Sequence, residues 1–345
     1  MNVYSLLKFF GIRAIPGWVK LLGMWGMLTT RRRVLGIFFD PVLSCNIRCR
    51  MCYFSDPSKR KEMAGRISEA EMASLKSVLM PHALKMQIGC AAEPTLYIDL
   101  ERIVLMSRQA KIPYISLTTN GQLIGTGKTD LAKLVECGLN EITLSLHGTQ
   151  KDVYEDLMQG AKFDVFEKTI SILSEIKRAF PKFVIRVNFT VNSLNLKCLE
   201  DNNFFEIWDR CGVQPDIIQI RPVQKMGETS WTDFDLTPLK TRYNETIGNV
   251  VAQAKERNIR CMYPSLSALN AVDDEQGGVS AMFEDVAYCY VAPGSFYKSD
   301  FDPSADTFHS YHKRKGTRRK LLQAMFSGGK SRQKNSTKKL NYKVE

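Results

Sequence analysis

The sequence predicts an α/β protein: a partial (β/α)6, TIM-like barrel of parallel strands with a small C-terminal extension. Three observations predict it. Short β-branched and aromatic runs alternate with longer amphipathic stretches between residues 34 and 257, as strand–helix–strand units with right-handed crossovers do. With 345 residues, 44% of them hydrophobic, the chain can bury the core such a barrel needs. A loop carrying three cysteines follows the first strand-like run, and reactive residues of such barrels sit at the C-terminal ends of strands.

The strand-like runs are Val34–Phe39, Leu84–Gly89, Tyr114–Thr119, Glu141–Leu146, Phe183–Val191 and Asp216–Arg221. Helical stretches are expected between them at Ser68–Leu79, Leu100–Ala110, Asp130–Cys137, Val165–Phe180 and Leu199–Cys211, with another from Pro238 to Arg257. Ser68 and Glu71 spell S-x-x-E, a capping box that starts the first helix. Thr118-Thr119-Asn120-Gly121 ends the third strand, and Asn-Gly is good turn chemistry. The expected organisation is an apolar, basic N-terminal segment (1–33), the barrel (34–257), an extension (258–326) and a disordered basic tail (327–345).

Cys45, Cys49 and Cys52 lie in the run SCNIRCRMCYF. Their C-x3-C-x2-C spacing lets one loop present three thiolates to one metal centre. Ordinary electron-transfer clusters take four cysteines, and structural zinc closes its tetrahedron with a fourth ligand. Here the next Cys or His residues are His82 and Cys90. Three ligands leave one metal position open to bind and activate something else. A chance grouping or a partial zinc knuckle is the competing reading. The nine cysteines form no disulfide-like framework, as expected in a reducing cytoplasm.

C-x3-C-x2-C followed by the aromatic Tyr53 resembles the signature of the radical S-adenosylmethionine (radical SAM) enzymes. The resemblance implies a [4Fe–4S] cluster on Cys45, Cys49 and Cys52, with the open iron chelated by the methionine moiety of S-adenosylmethionine. It further implies an external electron donor, such as a flavodoxin or ferredoxin, and a 5′-deoxyadenosyl radical that takes hydrogen from the substrate. Tyr53 is then expected against the adenine. Gly89-Cys90-Ala91-Ala92-Glu93-Pro94 is similar to the family's GGEP motif, with alanines for the two glycines, which implies Ala92 and Glu93 as cofactor contacts. Ser145-Leu146-His147-Gly148 resembles the family's S-x-D-G, which implies that Ser145 meets the cofactor's carboxylate or ribose. His147 reads as a hydrogen-bonded strand-end residue rather than a general acid or base. The arginine that the family places a little later is missing from 149–160. Arg186 and Arg221 are the substitutes, each equally readable as structural or solvated.

Tyr288–Tyr297 looks like part of a SPASM or shortened twitch extension, which holds auxiliary clusters. No cysteine follows Cys289, and Cys261 with Cys289 makes only two ligands, so a degenerate extension is expected. Cys90, Cys137, Cys198 and Cys211 are expected to be buried structural thiols.

Formal net charge is +12, with +11 in 313–345 and +5 in 1–40, leaving −4 for the body between. An acidic body without a recognisable RNA-binding module makes nucleic acid an unfavoured partner. Trp18, Leu21, Leu22 and Trp25 follow helical spacing and are closed by Arg31-Arg32-Arg33. The stretch is interrupted by Pro16 and Lys20, too short to span a bilayer and unlike a secretory signal. It reads either as an interfacial helix on an anionic membrane surface or as a helix packed against the open barrel. The function expected is that of a cytoplasmic radical SAM enzyme, peripheral at the inner membrane face if the helix is interfacial. Its substrate is unidentified: peptide, sugar, lipid headgroup or small metabolite. The rivals are an RNA-modifying radical SAM enzyme and a non-catalytic iron–sulfur or zinc-binding scaffold at a membrane. The sequence assigns no catalytic residue beyond the cofactor contacts.

Overall fold

A computed structural model describes residues 16–223, 235–270, 282, 285–326 and 342–344. Its strands are β1 (Leu35–Phe39), β2 (Arg48–Cys49), β3 (Ala83–Ile88), β4 (Tyr114–Thr119), β5 (Glu141–Ser145), β6 (Met158–Gln159), β7 (Val184–Val191), β8 (Ile217–Pro222), β9 (Arg260–Pro264), β10 (Tyr288–Ala292), β11 (Ser295–Tyr297) and β12 (Tyr342–Val344). Ten of them form one sheet in the order β11-β10-β1-β3-β4-β5-β7-β8-β9-β12. Every pairing from β10 across to β9 is parallel. The edge strands β11 and β12 run antiparallel to β10 and β9. The six strands expected from the sequence are thus consecutive neighbours, the partial-barrel arrangement. Two further parallel strands flank them. Cys261 in β9 and Cys289 in β10 are buried at opposite margins of the sheet, with six strands between them.

Helices cover one face. The longest, Phe163–Ala179, buries Phe163, Phe166, Ile170, Leu173 and Ile176, the i, i+3, i+4 stripe of a helix lying on a core. Strand β7 supplies the other layer. Ile185, Val187, Phe189 and Val191 are buried, while the alternate residues Arg186, Asn188 and Thr190 are half-buried on the opposite face, as the period of two requires. The capping box at Ser68 forms both its bonds, and the helix it starts ends in a π turn over Leu75–Leu79.

Within the sheet, Glu141 is 1% exposed and accepts from Arg186 Nε and Nη2 at 3.0 and 3.1 Å and from the Tyr114 hydroxyl at 2.6 Å. Burial pushes its carboxyl up, but Arg186, Lys85 and these hydrogen bonds outweigh burial and hold it below the usual carboxylate range. Arg186 is therefore committed to a structural pair. At the N-terminal ends of the strands, Arg33 donates to the carbonyls of Met80 and Ala83, both at 3.0 Å, and of Ala110 at 2.6 Å.

The helix Gly17–Thr29 packs against the helix Thr317–Phe326. It buries Leu21, Met24 and Leu28 and leaves Trp18 and Leu22 exposed, so the buried stripe is rotated from the spacing of the tryptophans. No helix among the described residues is long and apolar enough to cross a membrane. Of the tail expected to be disordered, Tyr342–Val344 pair with β9, and the rest lies outside the described residues.

Three histidines, His147 and His312 buried and His82 half-buried, carry a pH consequence. His82 stacks on Phe308 at 4.6 Å, His312 hydrogen-bonds Tyr297 and Thr317 at 2.9 Å each, and His147 lies under β7. Burial lowers each from 6.5 to about 4. The unfolded chain therefore takes up these protons first as pH falls. Their contribution is fully present above about 6.5 and lost as pH drops toward about 4. In thermal melts across that window, His312→Gln should show a shallower loss of stability than the parent. An identical pH slope would contradict the assignment.

Candidate cofactor and substrate cavity

The C-terminal ends of the strands open onto a cavity of about 660 Å³. Of the residues the sequence singled out, Cys45, Cys49, Cys52, Ala92, Glu93 and Ser145 all line it. Tyr53 does not. Its hydroxyl donates to the Ala91 carbonyl at 2.8 Å, which ties the cysteine loop to the segment after β3.

That loop is fixed at several points. Cys49 sits in the short β2, which pairs with Met158–Gln159 of β6. The Arg48 guanidinium donates to the carbonyls of Cys45 at 2.5 Å and Ile47 at 2.7 Å. The Glu93 amide donates to the Ser44 carbonyl at 2.9 Å, and the Asn120 side chain to Asn46 Oδ1 at 2.8 Å. The T-N-G turn is therefore also a brace for the cysteine loop.

Two buried carboxylates organise the neighbouring backbone. Asp40, fully buried just after β1, accepts from the amides of Cys90 at 2.8 Å, Ala91 at 3.0 Å and Ala92 at 3.4 Å, and from the Tyr290 hydroxyl at 2.9 Å. Glu93 accepts from the Thr95 amide and hydroxyl at 3.2 and 2.6 Å, the Thr119 hydroxyl at 2.7 Å and the Asn120 amide at 2.8 Å. Burial raises both carboxyls, and these donors oppose the rise. Gly89 explains how the motif tolerates its two alanines. It has φ +83°, and a Cβ there would lie 2.4 Å from the Thr118 carbonyl. Ala91 and Ala92 have no positive φ. The one position that demands glycine has kept it.

Burial pushes the Cys45 thiol up to about 12, and it raises Cys49 and Cys52 as well. Thiolates in this setting need a metal centre's positive charge to displace their protons. Among the described residues no three His, Cys, Asp or Glu side chains close on a single metal ion. Three free thiols facing one cavity instead fit a polynuclear cluster, which spreads its ligands around it. In the same cavity, His147 Nδ1 accepts from the Thr190 amide at 3.2 Å, and its carbonyl accepts from Asn195. Burial keeps the ring neutral. Arg221, exposed at the end of β8, is the sole cation among the described lining residues.

Cys90, expected as a buried thiol, is instead exposed and lines the cavity. It occupies the loop that Asp40 holds away from the core. Asp40, Asn188 and Thr190 were missed by sequence reasoning. Asn188 and Thr190 could have been found by reading β7 with a period of two, and Asp40 as the acid that ends β1.

The Radical SAM superfamily matches residues 41–196. Residues 41–196 thus carry a radical SAM superfamily domain. It is 22% identical over 218 residues to a probable GTP 3′,8-cyclase of Sulfolobus acidocaldarius, covering 63% of this chain and 66% of that one. With the corresponding protein of Sulfurisphaera tokodaii it shares 27% over 215 residues, 62% of this chain and 61% of that one. The chain thus spans less than two thirds of the length of these relatives. In fold it is similar to SuiB of Streptococcus suis bound to S-adenosylmethionine, with TM-score 0.54, 15% identity, and coverage of 77% of this chain and 60% of that one. The same enzyme bound to the precursor peptide SuiA matches with TM-score 0.54, 16% identity, and 79% and 61% coverage. Radical SAM membership implies a [4Fe–4S] cluster and S-adenosylmethionine as cofactors, with an electron donor.

The glycine argument separates the two kinds of motif position in this radical SAM domain. Gly89→Ala should cost about 2–4 kcal/mol of stability, through backbone strain and the clash with Thr118. Ala92→Gly should cost no more than about 1 kcal/mol. Urea denaturation measures both, and equal effects would refute the distinction.

Proposed function

We propose that this chain is a radical SAM enzyme that cleaves S-adenosylmethionine reductively and passes the radical to a substrate held in the same cavity. One observation carries the reading: three loop thiols share a braced cavity with Ala92, Ser145 and Arg221 at the C-terminal ends of parallel strands. When bound, the cluster and cofactor supply the electron transfer and the 5′-deoxyadenosyl radical. The protein's residues bind and orient. Cys45, Cys49 and Cys52 would hold the iron as thiolates. The backbone around Ala92, held by Asp40 and Glu93, would bind the cofactor's amino end. Ser145 and Arg221 would bind its ribose and carboxylate, Arg221 as the cation left among the described residues once Arg186 has paired with Glu141. Tyr53, outside the cavity lining, fixes the Ala91 carbonyl through its hydroxyl.

The electron donor proposed is a cytoplasmic flavodoxin or ferredoxin. The GTP of the relatives' name is the first substrate to test, and the cavity's charge weighs against it. A triphosphate is gripped by several cations, whereas the described lining residues offer only Arg221.

Reduced, anaerobically reconstituted protein should form 5′-deoxyadenosine, and replacing Cys45, Cys49 and Cys52 by Ala should abolish both iron binding and cleavage. Arg221→Ala should keep the iron and weaken S-adenosylmethionine binding at least tenfold, about 1.4 kcal/mol. Chromatographic assay of 5′-deoxyadenosine together with equilibrium binding reads both. Cleavage by the triple variant would overturn the reading, and GTP-stimulated cleavage would overturn the argument about charge.

A further inference from the structure

A second cavity, of about 510 Å³, is lined by Arg31, Lys313, Arg318 and Arg319 together with His309. It lies at the end of the sheet away from the cofactor cavity. Arg31 precedes β1, and His82, which stacks on Phe308 at 4.6 Å and meets His309 edge-on at 4.7 Å, immediately precedes β3. Both landmarks belong to the N-terminal ends of strands whose C-terminal ends carry the cysteine loop.

Among the described residues Arg31, Lys313, Arg318 and Arg319 enter no ion pair, whereas their neighbours Arg314 and Lys315 are taken up by Asp300 and Asp306. His309 lies below its ordinary value through burial and through repulsion by Arg31 and Arg318, so these cations converge on one spot. The helix Thr317–Phe326 contains no acid and begins at this cavity, adding the positive end of its dipole. A concavity gathering like charges in this way is stabilised by an anion.

Exposed apolar side chains lie farther along the same helix pair. The helices Gly17–Thr29 and Thr317–Phe326 pack together, the C-terminal end of the first meeting the N-terminal end of the second at the basic cavity. Their remaining surface exposes Trp18 at 57%, Leu22 at 45% and Phe326 at 89%. In sequence, Lys8 and Arg13 precede the first helix and Lys330, Arg332 and Lys334 follow the second.

We propose that this face docks on an anionic phospholipid bilayer, with headgroup phosphates entering the basic cavity and Trp18, Leu22 and Phe326 entering the interface. Bilayers reward this pairing of Trp with Lys and Arg. A soluble polyanion such as RNA would use the cations and leave the exposed leucine and phenylalanine without a role. The orientation rests on the function proposed above. With its N-terminal strand ends against the membrane, the enzyme turns its cofactor cavity to water, so its substrate arrives from the aqueous side and is not a headgroup of the same membrane.

Full-length protein should co-sediment with vesicles of phosphatidylglycerol and phosphatidylcholine, not with phosphatidylcholine alone, and binding should weaken as salt rises. The combined variant Arg31→Ser, Arg318→Ser and Arg319→Ser should lose at least tenfold in vesicle affinity. The pair Trp18→Ser and Phe326→Ser should lose a comparable factor while leaving heparin binding unchanged. All of these residues lie outside the cofactor cavity, so 5′-deoxyadenosine formation and melting should stay near parental values in both variants. Absence of binding to anionic vesicles at low salt would overturn the proposal. So would a Trp18/Phe326 variant that binds vesicles like the parent, which would leave a site for soluble polyanions. Vesicle binding needs no cluster, so its failure is distinguishable from failure of the enzymatic reading.

Discussion

Backbone that leaves a parallel sheet at its C-terminal end takes its amides out of the ladder, and buried amides need acceptors. In this chain that need is met by two carboxylates. Asp40 gathers three consecutive amides of the segment after β3, and Glu93 gathers the amides of Thr95 and Asn120 with two threonine hydroxyls. An ionised carboxylate only accepts, and its two oxygens can take several donors at once. A single acid can therefore hold a loop that no strand could pair. Burying these acids is unfavourable on its own, and the surrounding donors offset the cost. What results is a rigid shelf. The cysteine loop hangs on it through Tyr53, the Ser44 carbonyl and the contact between Asn46 and Asn120.

Preorganisation matters here because the chemistry is carried by cofactors, and the protein's share is to position and shield. Three thiols that burial keeps protonated present neutral ligands until a metal centre arrives. His147 is neutral, and Asn188 and Thr190 are uncharged, so the part of the cavity they line is polar without being ionic. Arg221 is the exception. Among the described lining residues it is the one cation, which suits the single carboxylate of the proposed cofactor better than a polyphosphate. Arg186, on the strand next to that of Arg221, is already paired with Glu141.

The fold was legible because the strand and helix periods are clean. The six strand-like runs agree with β1, β3, β4, β5, β7 and β8 to within one or two residues. The flanking strands were not. β9 is a short run ending in proline, and β10 pairs with β1 from far along the chain, a partnership that local pattern cannot reveal. The three cysteines were legible because their spacing is local. Asp40, Asn188 and Thr190 were legible in position, by strand end and by period, but not in role: each acts through residues brought near only by parallel pairing. The choice between Arg186 and Arg221 was likewise undecidable in one dimension, because it turns on Glu141 occupying the adjacent strand.

Parallel strands also give the molecule a direction. Every loop that follows a strand falls at one end, and every loop that precedes a strand falls at the other. The sequence's charge pattern, an acidic body with basic termini, acquires a spatial meaning from this. The helices Gly17–Thr29 and Thr317–Phe326, from opposite ends of the chain, are brought together, and their arginines gather before β1. The acidic body, meanwhile, spends Glu93 and Glu141 inside as hydrogen-bond acceptors, as Asp40 does just before it. Separating the two ends keeps the basic surface's field away from the thiols. It also leaves the cavity's mouth free for a reductant and a substrate, which both have to reach the same end of the sheet.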